Sequence, residues 1–156
     1  HDFDAERIAR FGERDVKRLI GDAGIVRHRG KIEATIENAR CTLALRDEGS
    51  SLAALLWRFE PDARSRPKRL TKNALTAMSA TDESKAMSKE LRRRGFRFVG
   101  PTTCYAAMQS LGVVNDHIVG CVARTASERE RTALERPVMR EGAAPPTSGR
   151  RRTRGR

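Results

Sequence analysis

Three observations predict an all-α fold. Apolar residues recur at helical spacing in the clearest segment, where Ile32, Ile36, Ala39 and Leu43 stand at i, i+4, i+7 and i+11 and so share one face. No stretch of useful length alternates apolar and polar residues as a half-buried strand would. Glycines and prolines stand where such helices would stop and start.

The elements follow in order. Phe3, Ile8 and Phe11 lie at roughly helical spacing across a first helix over 4–11. Asp15 is suited to cap a short helix carrying Val16, Leu19 and Ile20, which Gly21 and Gly24 then end. A turn over 25–30 leads into the long helix of Ile32 to Leu43, and Gly49 stops it. Ser51 opens a short apolar helix over 52–59 that holds the only tryptophan, Trp57. Residues 60–80 contain Pro61 and Pro67, show no period and read as a loop. A helix over 84–94 places Met87 and Leu91 one turn apart on its buried side. Gly95 and Gly100 bracket a tight connection, and Pro101 is well placed as the first residue of a helix over 101–111.

Beyond Ala123 the chain turns polar. The predicted organisation is one helical domain over 1–123 and a basic tail over 124–156, mostly without fixed structure and at most transiently helical over 127–134.

The chain has 156 residues, with 32 Lys and Arg against 20 Asp and Glu, a formal charge of +12 and a pI near 10.9. A surface of that sign attracts polyanions, which makes DNA, RNA or an acidic membrane the default class of partner. An arginine-rich genome composition would leave the same mark. The tail from Arg124 holds ten Arg and four Glu, and so half of the excess.

No segment approaches the roughly 20 apolar residues of a membrane span, so a membrane is not the expected partner. The start, His1-Asp2-Phe3-Asp4, shows no signal-peptide pattern. Three cysteines, Cys41, Cys104 and Cys121, make no disulfide framework, and the reducing cytoplasm is the expected compartment. Phosphate-binding loops of the Walker type, dinucleotide fingerprints and serine-nucleophile elbows are absent from the sequence. Cys104 and Tyr105 are expected to pack rather than react.

Three short motifs carry chemistry. Gly95-Phe96-Arg97-Phe98-Val99-Gly100 between two helices lets the backbone turn sharply and leaves amides unblocked by side chains. With Pro101-Thr102-Thr103 opening the next helix, free N–H groups converge where the helix dipole favours an anion, and Arg92, Arg93, Arg94 and Arg97 surround them. Gly95, Arg97, Phe98, Gly100 and Thr102 are therefore candidates for gripping a DNA phosphate without reading sequence. An ordinary helix–helix turn on a basic surface would have the same spacing.

The second motif is Arg27-His28-Arg29-Gly30-Lys31 at a helix start, where cations oppose the helix dipole. Arg27, Arg29 and Lys31 are candidates for an external phosphate, with a solvated turn as the alternative. The third is Val114-Asn115-Asp116-His117-Ile118-Val119-Gly120-Cys121. His117 and Cys121, four apart, suit zinc, although two donors do not close a tetrahedral site and such a pair also arises by chance.

Together, and in this order, these strings resemble the DNA-3-methyladenine glycosylase I family of the helix-hairpin-helix superfamily. The likeness runs from Asp22 through Ile32, over Asn38-Ala39-Arg40 and Leu55-Leu56-Trp57-Arg58-Phe59, then Ser84 through Lys89, Arg94 through Gly100, Cys104-Tyr105, Met108-Gln109 and Leu111 through Cys121. It spans roughly Phe3 to Cys121.

The resemblance implies hydrolysis of the N-glycosidic bond of 3-methyladenine in alkylated duplex DNA after base flipping, by a monomer. Methylation at N3 makes the base cationic and a good leaving group, so recognition matters more than acid catalysis. It also implies a structural zinc, to which His117 and Cys121 supply two of four ligands. Many superfamily members place an Asp two residues before the matching His. Asn115 occupies that position here, as suits the 3-methyladenine branch, and Asp116 is one step out of register.

The family's Glu, its base-stacking aromatics and its other two zinc ligands belong to a segment ahead of the matched one. The expectation is thus an N-terminally truncated glycosylase fold without its base pocket, with no catalytic residue assigned in this chain. The alternatives are a non-catalytic helix-hairpin-helix DNA-binding module, or a basic RNA-associated protein whose tail does the binding.

Overall fold

The computed structural model describes residues 2–67 and 69–139. All regular structure among them is helical, with no strand. In chain order the α-helices are α1 Ala5–Ala9, α2 Glu13–Gly21, α3 Arg29–Asp47, α4 Leu52–Trp57, α5 Lys72–Thr76, α6 Asp82–Arg93, α7 Pro101–Ser110 and α8 Ala123–Ala133.

Side-chain caps set most of the starts. The Asp4 carboxylate accepts from the amides of Glu6 and Arg7, Ser51 from Ala54, Thr71 from Ala74, and Thr81 from Ser84. Ser84 answers Thr81 by accepting from its amide, so α6 starts two residues before the predicted point. Asp15 caps α2 from inside the helix, reaching back to the Gly12 amide at 3.2 Å, so that helix also starts early. At the end of α3 the chain reverses as predicted: Gly49 has φ +74°, and the Ser50 amide returns to the Leu45 carbonyl at 2.9 Å.

α3 is the spine, and it serves two cores from opposite faces. Its N-terminal half buries Ile32 and Ile36 with Val16 of α2, flanked by Ile8, Phe11, Leu19 and Ile20. Its C-terminal half buries Cys41 and Leu45 with Leu55, Met87, Leu91, Phe96, Cys104, Tyr105, Met108, Val113 and Val114. Cys41 lies nine residues past Ile32, about 180° around the helix at 3.6 residues per turn. The single stripe expected through Leu43 is therefore corrected: Leu43 is only partly buried, and α3 is covered on two sides, with Ile32, Ile36 and Ala39 on one and Ala34, Cys41 and Leu45 on the other. Leu45, Leu55, Met87, Met108 and Val113 are each at most 1% exposed, and each contributes roughly 1.5–3 kcal/mol of burial.

The segment expected as a loop is partly ordered. A 3-10 turn over Ala63–Ser65 and α5 interrupt it, and Leu70 is 1% exposed with its carbonyl accepting from the Val119 amide. Leu70 and the partly buried Met78, eight residues apart, produce no period, which is why the sequence reads as structureless there.

The segment after Ala123 also differs from expectation. It forms α8, anchored by Arg131, which donates to the Gly112 and Val113 carbonyls and to Glu60. Arg136 adds bonds to Glu60 and lies over the Trp57 ring at 4.8 Å. A composition rich in Arg and Glu signals a solvated segment, but here those charges find fixed partners. The Arg-rich stretch over 140–156 lies outside the described residues.

Candidate nucleic-acid interface

The turn between α6 and α7 is built from inside out. The Gly95 amide returns to Arg92 and the Phe96 amide to Leu91, closing α6 with Gly95 at φ +90°. A Cβ at Gly95 would lie 3.3 Å from the Cys41 sulfur, so this glycine is required by both conformation and space. Phe96 then plugs the main core at 6% exposure. Gly100 is different: its φ is −64° and a Cβ there would meet nothing closer than Arg92 at 4.0 Å. Nothing inside the fold demands a glycine at position 100.

The backbone between is held at its carbonyls. Asn38 of α3 grips Arg97 twice, accepting from its amide at 2.8 Å and donating to its carbonyl at 3.1 Å. The Val99 carbonyl accepts from the Ser88 hydroxyl at 2.6 Å and from the Cys104 thiol at 3.4 Å. Among the described residues, the amides of Phe98, Val99, Gly100, Thr102 and Thr103 meet no acceptor. They gather at the positive end of α7, the setting in which backbone donors take an anion. Phe98 itself is left-handed at φ +57° and half exposed.

The structure brings the second predicted cluster to the same place. His28 caps α3, its Nδ1 accepting from the Lys31 amide at 3.2 Å, and its ring meets Phe98 edge-on at 5.9 Å. Gly30 lies under both rings. The cations divide into two groups. Arg29 pairs with Glu13 at 3.1 Å and Glu33 at 3.2 Å and so ties α2 to α3. Its hydrogen bond holds the Glu13 carboxyl below the usual range.

Arg93 and Arg94 are likewise taken by Glu90, and Arg94 also by Glu48. Hydrogen bonds from Arg93, then Arg94, draw the Glu90 carboxyl down to about 2 against the opposing effect of burial. Arg27, Lys31, Arg92 and Arg97 make no ion pair among the described residues and are exposed. Arg97 lies within the turn and Arg92 reaches to 4.0 Å from a Cβ at Gly100, whereas Lys31 borders the apolar groove beside Ile25 and Val26.

The third motif forms a separate cluster. The His117 Nδ1 and Cys121 sulfur face each other at 3.4 Å, close to the roughly 3.5 Å that tetrahedral zinc bonds of about 2.1 and 2.3 Å would impose. The pair fits two corners of a zinc site, and no group of three potential ligands exists among the described residues.

Asp116 does structural work beside it, accepting from Arg66, Tyr105 and Gln109 with a side chain only 5% exposed. Burial and this carboxylate push the Tyr105 hydroxyl above its ordinary pKa. Cys104 and Tyr105 are buried, as expected of packing residues. Asn115 binds the Arg124 carbonyl and Glu128 at the start of α8.

Asn38 and Ser88 are the residues that sequence reasoning missed as parts of the turn. Asn38 stood inside a family-like string, but nothing along the chain signals a bond to a residue 59 positions away.

Comparison with known proteins shows the family and the all-helical fold. A model of the methyladenine glycosylase family matches residues 1–125. DNA-3-methyladenine glycosylase 1 of Escherichia coli (strain K12) is 45% identical over 122 residues, which are 78% of this chain and 64% of the relative. DNA-3-methyladenine glycosylase of Haemophilus influenzae is 38% identical over 134 residues, covering 80% of this chain and 66% of its own length. The chain thus spans just under two thirds of either relative. A crystal structure of a 3-methyladenine DNA glycosylase I superposes with a TM-score of 0.70 at 46% identity, covering 80% of this chain and 67% of that one. A second, of a variant in complex with 3-methyladenine, superposes at 0.68 with 29% identity and covers 79% and 65%.

Proposed function

This chain belongs to the methyladenine glycosylase family, and on that footing we propose that it serves base-excision repair, in the release of 3-methyladenine from alkylated duplex DNA. The observation that carries the reading is the row of amides at the start of α7 that meet no acceptor among the described residues, beside the exposed Arg92 and Arg97. Gly95 shapes the turn. The amides of Phe98, Gly100 and Thr102 would take a backbone phosphate, and Arg27, Lys31, Arg92 and Arg97 the neighbouring charge. This is the helix-hairpin-helix mode of holding DNA. It orients the duplex without reading sequence, which suits a search for damage at any sequence. We assign no residue of this chain to the chemical step.

His117 and Cys121 we propose as two ligands of a structural zinc, supported by their facing donors. A bound zinc would tie the 113–121 segment to α8 through its neighbours Asn115 and Arg124. Titration with cobalt(II) tests this directly: thiolate-to-metal absorption should appear, and should vanish in Cys121→Ser. A monomer in the reducing cytoplasm is the proposed setting. The three free cysteines support the reducing compartment, and no helix among the described residues is long and apolar enough to cross a membrane.

The functional test is release of free 3-methyladenine from methylated duplex DNA, run beside a duplex-binding assay on the same chain. Release supports the glycosylase reading. Binding without release leaves a non-catalytic DNA-gripping module. Absence of both would overturn the proposal.

A further inference from the structure

We infer that Asn38 and Ser88 are positioning residues that aim the Phe98 and Gly100 amides outward at one phosphate. The inference deepens the reading of the turn as a DNA grip and rests on it. The geometry follows from the planar trans peptide, in which the carbonyl of one residue points opposite to the amide of the next. No cis peptide occurs among the described residues.

Asn38 holds the Arg97 carbonyl inward against α3, so the Phe98 amide of the same peptide plane faces away from α3. Ser88 holds the Val99 carbonyl inward against α6, so the Gly100 amide faces away from α6. The two donors are two residues apart and meet no acceptor among the described residues.

Both anchors are well held. Ser88 is 2% exposed on the buried side of α6. Asn38 satisfies both the amide and the carbonyl of Arg97, which fixes that residue on either side and leaves Phe98 to absorb the turn in its left-handed conformation. The donor array is thereby set before any ligand arrives, and little ordering remains to be done on binding. Neither anchor touches the ligand in this arrangement. Each acts through a peptide plane.

Binding of an undamaged duplex to the full chain, measured over a range of salt, tests the inference. Asn38→Ala and Ser88→Ala should each raise Kd about 10-fold, the scale of a lost charge-assisted hydrogen bond. The slope of log Kd against log salt should stay unchanged, because no cation has been removed. Arg97→Ala should instead lower that slope by about 0.9. A general loss of structure would disturb slope and affinity together, and thermal melts of each variant identify it.

Should either variant fail to fold, the unaltered chain still decides. The Phe98 and Gly100 amides should shift and gain exchange protection when duplex is added. Unmoved amides, or two folded variants that bind like the parent, would overturn the inference. Gly100→Leu separates the two levels: if it binds duplex normally, or if the parent binds none, the DNA-grip reading itself falls and this inference with it.

Discussion

Phe98 is a non-glycine residue in the left-handed region, a conformation that costs about 1–2 kcal/mol, and its ring is left half exposed. The ring meets His28 edge-on and lies against Gly30, with half of its surface left to solvent. Asparagine accepts this conformation readily, so Phe98→Asn should leave the melting temperature unchanged or slightly higher while weakening duplex binding. A variant that melted lower and bound duplex as before would place Phe98 in the fold rather than the interface. The two glycines of the turn should part company in the same assays. Gly95→Ala should cost 1 kcal/mol or more, because φ is +90° and Cys41 is close. Gly100→Ala should cost less than about 1 kcal/mol, since its φ is ordinary and space is open, yet it should still impair binding by crowding the phosphate approach. Equal stability losses would contradict that division.

At the scale of elements, charged pairs decide how helices are joined. Glu90 of α6 titrates near 2 against an ordinary 4.5, held down mainly by Arg93. A carboxyl depressed in the folded state adds stability that is complete above its unfolded pKa and is lost as pH falls toward the folded value. The window is therefore about pH 4.5 down to 2. Over that window Glu90→Gln should show a shallower loss of stability than the parent, and denaturant melts at stepped pH would measure it. A parallel pair of curves would count against the Glu90 contribution.

α8 depends on a different pair. Glu60 accepts from both Arg136 and Arg131, and the Arg136 hydrogen bond above all holds it below the usual carboxylate range. Arg131→Ala would strand the Gly112 and Val113 carbonyls and half of that network, at a cost of about 1–3 kcal/mol. Circular dichroism should then lose about one helix of this length before the main transition. Loss in a single step would show α8 to be integral to the core.

Across the whole molecule, the two cores are unequal. The main one gathers eleven buried residues from four helices and two loops, whereas the smaller has three, Val16, Ile32 and Ile36. The smaller core also borders an open apolar groove of about 600 Å³ lined by Phe3, Ile8, Phe11, Ile25 and Val26 among others. Fewer buried contacts mean a lower free energy of local opening. Amides of α1, α2 and the first half of α3 should therefore exchange faster than those of α6, α7 and the second half of α3, as read by hydrogen exchange. Uniform protection along α3 would mean that the spine opens as one unit.

The all-helical class, the stops at Gly49 and Gly95, and the burial of Met87, Leu91, Cys104 and Tyr105 were legible along the chain. So was the family, through strings such as Gly-Phe-Arg-Phe-Val-Gly. These are local matters: helical periodicity, left-handed glycines and caps act over a few residues, and so can be read along the chain. Which arginines are ion-paired among the described residues was settled by the folded arrangement. Arg29, Arg93 and Arg94 look identical to Arg27, Arg92 and Arg97 in sequence, and what separates them is whether a carboxylate from another turn or helix arrives within ion-pair distance. The burial of two sides of α3, the inward Leu70, the docking of α8 and the Asn38 clamp on Arg97 are of the same kind. Each rests on a contact between distant parts of the chain, and its cause lies in packing rather than in the local pattern.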